Sequence, residues 1–214
     1  MAETLKNKPQ IFHTSGALSS IVLKNLQAAG CQTGSIHPLV SISDAHTGSE
    51  RFGNAYFCVE GDRDAVRTAK KIVANLGGKS FSIETEYKAL YHASAVTASG
   101  HLVALIDVSI EILKKCGLDE KEAQQTLLPL IKSTVDNLER QTTVEALTGT
   151  FARADVETLR RHLEILREKV SPEALEIYLQ LGARSLALAE AQGASRENLE
   201  KMRGHILLAK TNLK

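Results

Sequence analysis

The chain has 214 residues, 43% of them hydrophobic, which suffices for one large domain or two small ones with a substantial buried core. Its 26 Lys and Arg nearly balance its 25 Asp and Glu, and a formal net charge of +1 gives no overall field that would attract nucleic acid or an anionic membrane. Aromatic residues make up only 4% and Trp is absent, which argues against a base-stacking surface. We therefore expect no nucleic-acid partner and no membrane partner.

The cysteine spacing, the N-terminal residues and the length of the apolar runs indicate a cytoplasmic protein. The three cysteines are far apart and form no CxxC pair, which is typical neither of a zinc site nor of a disulfide framework. The first ten residues carry charges but no apolar segment, unlike a secretory signal. No run of 18 uncharged apolar residues occurs, which argues against an ordinary membrane-spanning helix.

The first part of the chain alternates short apolar runs with helical patterns. The predicted strands cover residues 11–13, 35–37, 55–59 and 80–83. The predicted helices cover residues 18–29 and 62–76, and each ends at glycine. Strands that alternate with helices predict a parallel sheet of βα units.

From Thr85 onward the pattern is helical. A long helix is predicted over residues 86–116, followed by helices over 119–140, 144–147, 155–170 and 172–192 and a last one that begins at Ser195. Asp119 with Glu122 forms a capping-box pattern, and Ser171-Pro172 is a typical helix start. We therefore divide the chain into an α/β domain, residues 1–84, and a helical domain, residues 85–214.

Two candidate site segments lie at predicted strand ends. The first is His13-Thr14-Ser15-Gly16, at a position where an open α/β sheet presents its ligand crevice. The same residues also fit a turn closed by a local hydroxyl hydrogen bond. The second is His37-Pro38, where proline could stiffen the backbone and aim the imidazole, although a single histidine is more often structural or exposed.

The long helix carries a polar stripe on one face. Lys88, His92 and Ser99 follow one another at helical spacing within an otherwise small and apolar segment. Burial would lower the pKa of the lysine toward an acid–base range. The alternative is that Lys88, close to the helix start, reaches solvent. Gly100, farther along, either allows close packing or has no role.

A further candidate segment begins the helix after residue 155. Arg153 is a candidate clamp for an anion, and Asp155 fits a helix cap, which is a sufficient structural reason for it. The sequence contains neither GxGxxG nor GxxxxGK[ST], so it has no phosphate-binding loop of either common type. It also lacks HExxH and zinc-ligand spacing, and we expect no metal site.

An ordered set of short motifs resembles a known family. The motifs are His13-Thr14-Ser15-Gly16-Ala17, Gly34-Ser35-Ile36-His37-Pro38-Leu39, Val59-Glu60-Gly61-Asp62, Lys88-Ala89-Leu90-Tyr91-His92-Ala93, Leu147-Thr148-Gly149, Ala152-Arg153, Asp155 and His162. Together they resemble the Rossmann-like oxidoreductases that carry a C-terminal helical domain of unknown function 2520. Those proteins are related to pyrroline-5-carboxylate reductase and to the β-hydroxyacid dehydrogenases.

The resemblance implies an NADP-binding domain, a helical domain that often builds a homodimer interface, and a site in the cleft between them. It implies catalytic roles for Lys88, as proton donor, and for His92 one turn later. It places the cofactor near His13, Ser15 and Gly16. The implied contacts to a small-molecule substrate come from His37, Ser99 and Arg153.

The chain also departs from the family pattern. It begins shortly before the His13 segment, where relatives have already passed a strand and a glycine-rich loop, so we expect the first half of the Rossmann domain to be missing. The family's usual asparagine, proline and glycine are replaced by Gly100, Thr150 and Ala154, which puts substrate contacts and the turn before Asp155 in doubt.

The predicted fold is α/β followed by all-α, with a partial Rossmann-type parallel sheet and a helical bundle led by one long helix. The predicted function is the C-terminal portion of an NADP-dependent oxidoreductase acting on a small carbonyl or imine compound, inactive alone because the phosphate-binding loop is missing. The alternative is a non-enzymatic helical dimerisation or binding module.

Overall fold

The computed structural model describes residues 7–44 and 46–213, and the chain divides into two compact units, Met1–Leu102 and Val103–Lys214. The strands are β1 (Gln10–His13), β2 (Gln32–Pro38), β3 (Tyr56–Gly61) and β4 (Lys79–Ser82). The helices are α1 (Lys24–Ala28), α2 (Arg63–Asn75), α3 (Lys88–Ala98), α4 (Gly100–Lys114), α5 (Glu120–Leu138), α6 (Gly149–Ala152), α7 (Val156–Lys169), α8 (Pro172–Ala191) and α9 (Arg196–Thr211).

The four strands form one sheet in the order β1-β2-β3-β4. The pairs β1–β2 and β3–β4 are parallel, whereas β2 and β3 are antiparallel. The partial Rossmann-type α/β class is confirmed, but the prediction of a wholly parallel sheet is wrong at the β2–β3 pair. A parallel pair needs a crossover of a dozen or more residues, usually a helix, and the described residues between β2 and β3 form only a 3₁₀ turn, Gly48–Phe52.

The two faces of this sheet differ in chemistry because successive strand residues point to opposite sides. On one face Ile36, Phe57 and Val59 pack against Ala69 and Val73 of α2 and form the apolar core of the first unit. The opposite face takes the alternate positions of β2 and β3. It carries Ser35, His37, Cys58 and Glu60.

The residue before α2, where the pattern predicted the helix start, does not act as a side-chain cap. Asp62 occupies the N-cap position without a capping hydrogen bond. Its carboxylate instead accepts a hydrogen bond from the Thr33 amide at 2.7 Å and one from the Gln27 side chain. Asp62 therefore ties α1, β2 and the start of α2 together.

The long helix predicted for residues 86–116 is present but interrupted. A 3₁₀ turn, Thr85–Tyr87, leads into α3, and α4 follows α3 after a break at Ser99, whose φ and ψ are −119° and −74°. Gly117, with φ +100°, lies just beyond the end as predicted. By length and composition alone the stretch Thr85–Lys114 could cross a membrane, since its most apolar 18-residue window has a mean hydropathy of 1.6 and none of that window is buried.

The second unit is helical, and its core lies among α7, α8 and α9. The largest fully buried core side chains are Leu159, Leu179, Leu186, Leu199 and Met202. The predicted caps are confirmed, because Asp119 with Glu122 forms a complete capping box and Asp155, Ser171 and Ser195 each accept an amide hydrogen bond at a helix start.

The short helix predicted for residues 144–147 is wrong. Those residues form a hydrogen-bonded turn, and the nearest short helix is α6. Thr142 and Glu145 close the turn through reciprocal hydrogen bonds between side chain and backbone. Local bonds of this kind give the backbone an alternative to forming a helix. The apolar residues at 144–147 therefore do not indicate a helix there.

Candidate functional site

Lys88 is buried at the start of α3, where it faces the polar side of the sheet. Its side chain is only 1% exposed. Its Nζ donates a hydrogen bond to Ser35 Oγ on β2 at 2.8 Å and lies 5.4 Å from the centre of the Tyr91 ring. The lysine therefore does not reach solvent, and the alternative explanation of its position is wrong.

The surroundings of Lys88 favour loss of a proton from its ammonium group. Burial lowers the pKa of Lys88 below its ordinary value, while the neighbouring Cys58 and Glu60 oppose that shift. Burial raises the pKa of the Cys58 thiol, with the positive charge of Lys88 acting in the opposite direction. Because a desolvated ammonium is destabilised relative to the neutral amine, Lys88 is a better acid here than a lysine in water.

Glu60 on β3 fixes the elements around Lys88. Only 2% of Glu60 is exposed, yet its carboxylate accepts hydrogen bonds from the Ser20 amide at 2.9 Å and the Ser20 hydroxyl at 2.8 Å. It also accepts from the Thr85 hydroxyl at 2.9 Å. One buried carboxylate thus joins the segment after Gly16, the sheet and the beginning of the long helix, and every bond is charge-assisted.

His37 and Tyr91 form a hydrogen-bonded pair next to Lys88. His37 Nδ1 and the Tyr91 hydroxyl are 2.6 Å apart, and their rings meet edge to face. Burial lowers the pKa of His37 to about 4, helped by the positive charge of Lys88 and by His92. Burial also raises the pKa of Tyr91. At neutral pH the imidazole is therefore uncharged and the phenol keeps its proton.

The hydrogen bond between Tyr91 and His37 fits two tautomers of the neutral imidazole. In one the phenol donates to Nδ1 and the ring carries its hydrogen on Nε2, and in the other Nδ1–H donates to the phenol oxygen. We assign the first, because His37 Nδ1 is the acceptor within hydrogen-bond distance of the Tyr91 hydroxyl among the described residues. This assignment makes His37 Nε2 a hydrogen-bond donor.

Gly16 brings the first loop against both histidines. A Cβ atom placed on Gly16 would lie 2.5 Å from His92 Cδ2 and 2.6 Å from His37 Nε2. Any side chain at this position would displace the imidazoles, so only glycine permits the approach. The loop after β1, the end of β2 and the helix α3 therefore meet at one point, as the sequence predicted for residues 13–16, His37 and the Lys88 helix.

A cavity of about 620 Å³ opens beside this cluster. Its walls come from the residues after β2, from Phe81 of β4 and from one face of α3 that includes Tyr91, His92 and Ser99. That volume lies within the range typical of sites for small molecules and parts of cofactors. Lys88 does not line the cavity and lies behind Tyr91.

The loop after β1 shows local hydrogen bonds of the kind expected for a turn. His13 Nδ1 accepts from the Ser15 amide at 3.2 Å, and Ser15 Oγ accepts from the Leu18 amide at 3.1 Å. His13 Nε2 is buried and lacks a partner among the described residues. Ser15 thus stabilises the turn through its hydrogen bond, whereas Gly16 allows the loop to approach His37 and His92 closely.

The remaining predicted site residues lie in different surroundings. Ser99 ends α3, lines the cavity, and donates its hydroxyl hydrogen to the Ala95 carbonyl at 2.8 Å. Arg153 belongs to the second unit, where it is exposed and borders a cavity of about 470 Å³ with Asp155, Asn198 and Lys201. The structure thus groups Ser99 with Gly16, His37, Lys88 and His92, whereas Arg153 lies in the other unit.

Sequence reasoning missed Tyr91, Ser35, Cys58 and Glu60 as members of the cluster. The alternation of polar residues along β2 and β3 was a usable signal, since Ser35 and His37, like Cys58 and Glu60, are two residues apart and share one face. Tyr91 lies three residues after Lys88, at helical spacing.

Comparison with known proteins identifies the family. The profile of the family described as Domain of unknown function (DUF2520) matches residues 55–185, which is more than half of the chain. The chain belongs to the DUF2520 family. No curated protein matches it significantly in sequence.

Solved structures support the same fold. Protein TM1727 from Thermotoga maritima is 31% identical to this DUF2520 chain, with a TM-score of 0.69 over 85% of this chain and 69% of that one. The "putative NADP oxidoreductase BF3122" from Bacteroides fragilis is 21% identical, with a TM-score of 0.63 over 83% of this chain and 64% of that one. Plasmodium falciparum pyrroline carboxylate reductase, solved with NADP bound, is 16% identical, with a TM-score of 0.51 over 91% of this chain and 70% of that one. The DUF2520 chain therefore has the fold of Rossmann-like oxidoreductases and spans about two thirds of these three chains.

The cluster and its cavity fit the nicotinamide ring of a cofactor better than they fit its pyrophosphate. The cavity offers apolar walls and uncharged polar groups, which suit a nicotinamide ring. A pyrophosphate needs backbone amides at a helix start or a glycine-rich loop, and the sequence contains no GxGxxG. In this DUF2520 chain the residues present fit the nicotinamide end and do not provide the usual phosphate cradle.

Proposed function

We propose that the chain is the C-terminal portion of an NADP-dependent oxidoreductase that reduces a small carbonyl or imine compound. The observation that carries this proposal is the meeting of Lys88, Tyr91, His37 and Gly16 beside one cavity. The oxidoreductase fold of the family and the NADP named for two of the structural relatives support it.

The side chains of the cluster have two roles, which are contact with the substrate and supply of a proton. His37 presents its Nε2 hydrogen to the oxygen of a carbonyl or the nitrogen of an imine, and Tyr91 fixes the imidazole in that tautomer. The proton that the product needs would leave His37 Nε2 and be replaced through the Tyr91–His37 pair from Lys88, which lies behind the Tyr91 ring and whose proton release burial favours. His92, which meets His37 edge to face at 6.0 Å between ring centres, orients that ring. Ser99 adds a hydroxyl to the cavity wall.

The bound nicotinamide would supply the hydride. Gly16 would hold the loop after β1 against the two imidazoles beside the bound ring, since only glycine allows so close an approach. His13 and Ser15 would hold this loop in place through their hydrogen bonds. Without a phosphate cradle, the adenosine half of the cofactor would add little to binding by this chain.

Comparing NADPH with reduced nicotinamide mononucleotide tests the proposal. We expect both to bind with similar millimolar affinity, measured by fluorescence of the reduced nicotinamide. Ala98→Phe, on the cavity wall, should abolish binding of both, whereas Ala93→Phe, on the same helix but outside the wall, should not. Absence of binding at millimolar concentration would refute the proposed function, and much tighter binding of NADPH would show that a phosphate site exists.

The helical part also supports a homodimer, and with it the alternative of a dimerisation module. No residue of α4 is buried and only Ala123 of α5 is. Val103 of α4 is 67% exposed, and Leu130 of α5 is 63% exposed. Isolated helices with exposed apolar side chains are unstable in water without a packing partner.

A second copy of the chain fits these helices better than a bilayer does. Near one end of the apolar stretch, Lys88 is bonded to Ser35. Near the other, the Glu111 carboxylate accepts a hydrogen bond from the Ser171 amide at 3.1 Å. Because both ends are held by polar contacts within folded units, crossing a membrane would break those contacts. We therefore propose that α4 and α5 pair with the same helices of a second chain.

Light scattering during size-exclusion chromatography tests the homodimer. We expect a dimer at micromolar concentration and a dissociation constant raised at least tenfold, about 1.4 kcal/mol, by Val103→Glu. Leu207→Glu is the matched control, because Leu207 of α9 is 68% exposed and lies outside the proposed interface. A monomeric wild-type protein, or binding to lipid vesicles that Val103→Glu abolishes, would refute the dimer.

A further inference from the structure

We infer that the cavity beside His37 and Tyr91 accepts an uncharged, largely apolar carbonyl or imine compound and rejects substrates that carry a carboxylate or phosphate. This inference deepens the proposed function, because it names the substrate class of the same site.

The cavity wall offers no fixed charge. Among the described residues that line it there is no Asp, Glu, Lys or Arg. The side chains that line it are aliphatic, aromatic or uncharged polar, and they include Leu39, Val96, Phe81 and Ser99. An anion that leaves water for such a wall loses its hydration without gaining a counter-ion.

Lys88, a cation behind the Tyr91 wall of the cavity, is already engaged. Its ammonium lies behind the Tyr91 ring and donates to Ser35. Glu60 on the adjacent strand β3 favours the charged form of Lys88 and so raises its pKa. The ammonium is therefore held on the sheet side of Tyr91 and is not presented to a ligand.

His37 in the wall does not replace that charge. The hydrogen bond from Tyr91 occupies His37 Nδ1, and its nearness to Lys88 and His92 further disfavours a proton there. With a pKa of about 4, His37 is predominantly neutral at pH 7. The ring thus acts as a neutral donor from Nε2, which suits a carbonyl oxygen or an imine nitrogen.

Two ketones that differ only in charge test the inference. Cyclopentanone and 3-oxocyclopentane-1-carboxylate are each titrated into the ¹⁵N-labelled chain without cofactor, and amide shifts report affinity and location. We expect cyclopentanone to bind at least tenfold more tightly, with shifts at residues 91–99. Ala98→Phe should weaken its binding at least tenfold, whereas the control Ala93→Phe should leave it unchanged.

A charge added to the wall should reverse the preference. Ser99→Lys places an ammonium at the cavity, and we expect it to raise the affinity of the carboxylate at least tenfold. Equal or tighter binding of the carboxylate to the wild-type chain would overturn the inference. So would binding of neither ketone, or shifts confined to residues 153–156 and 198–201. The titration with NADPH reports on the proposed function separately, so its failure is distinguishable from failure of this inference.

Discussion

At the scale of single residues, the polar side of the sheet is unusual because a lysine, a carboxylate and a thiol are buried together. Lys88, Glu60 and Cys58 are each no more than 2% exposed. Buried ionisable groups are costly unless they are paired, and perturbed groups cluster at functional sites. Lys88 lies directly behind Tyr91, which links that cost to the cavity.

Replacing Lys88 with methionine separates its charge from its packing. We expect Lys88→Met to abolish turnover and to change the free energy of unfolding by no more than about 1 kcal/mol, because relief of the buried charge offsets the lost bond to Ser35 and Glu60 keeps its hydrogen bonds to Ser20 and Thr85. It should also raise the pKa of His37, because the charge of Lys88 helps to lower it. The pKa is measured by NMR titration of the His37 ring.

Lys79→Met is the matched control for this change. Lys79 is exposed and also lies over a tyrosine ring, with its Nζ 5.6 Å from the centre of Tyr56. The Lys79→Met substitution should leave the pKa of His37 unchanged. A large loss of stability in Lys88→Met without a change at His37 would mean that Lys88 has only a structural role.

His37 should make stability depend on pH. Its folded pKa of about 4 lies below the ordinary 6.5, so between these values the unfolded chain binds more protons and stability rises with pH. The contribution of the neutral ring is present above about pH 6.5 and is lost as the pH falls toward 4. The loss should be on the order of 2 kcal/mol, allowing for solvent screening of the partly exposed ring.

Urea unfolding of the wild-type chain and His37→Gln at several pH values measures this effect. The difference between the two proteins isolates His37 from the carboxylates that titrate over the same range. We expect the wild type to lose stability relative to the variant as the pH falls from 6.5 to 4. A difference that stays constant over this window would show that the His37 ring is not shifted.

At the scale of elements, the break between α3 and α4 is a weak point in the long helix. Gly100 follows Ser99, and a Cβ at Gly100 would meet no atom within 4 Å. The described residues therefore show no close packing that requires glycine there. Glycine in a helix costs about 1 kcal/mol relative to alanine.

Gly100→Ala should therefore stabilise the chain by about 0.5–1 kcal/mol in urea unfolding. Gly204→Ala, in the interior of α9 and equally open, should do the same. Gly117→Ala should destabilise, because Gly117 has φ +100°, which alanine rarely adopts. Destabilisation by Gly100→Ala would reveal a close neighbour, and the homodimer interface would be the place to look for it.

At the scale of the whole molecule, the local elements were predictable because their signals are local. Helix caps at Asp119, Asp155 and Ser171 and the strand runs follow from short patterns. The direction of β3 was not predictable, since the polar segment before it gave no sign that it lacks a crossover helix. A tertiary connection of this kind leaves little trace in periodicity.

The candidate site was predictable only in part, because only some of its residues are related by local sequence patterns. Lys88 and His92 share a helical face, and the family motifs connected them with Gly16 and His37. The role of Tyr91 depends on a contact with a residue 54 positions away in sequence. No spacing rule along one element reveals such a contact, and the neutral state of His37 follows only from burial among those partners.

The most direct test of the account is the position of a bound nicotinamide. Reduced nicotinamide mononucleotide is added to the labelled chain, and intermolecular nuclear Overhauser effects are recorded from its ring protons. We predict contacts to the ring protons of His37, Tyr91 and His92. A nicotinamide that binds with contacts only to residues around Arg153, or that shows none to these three rings, would contradict the account.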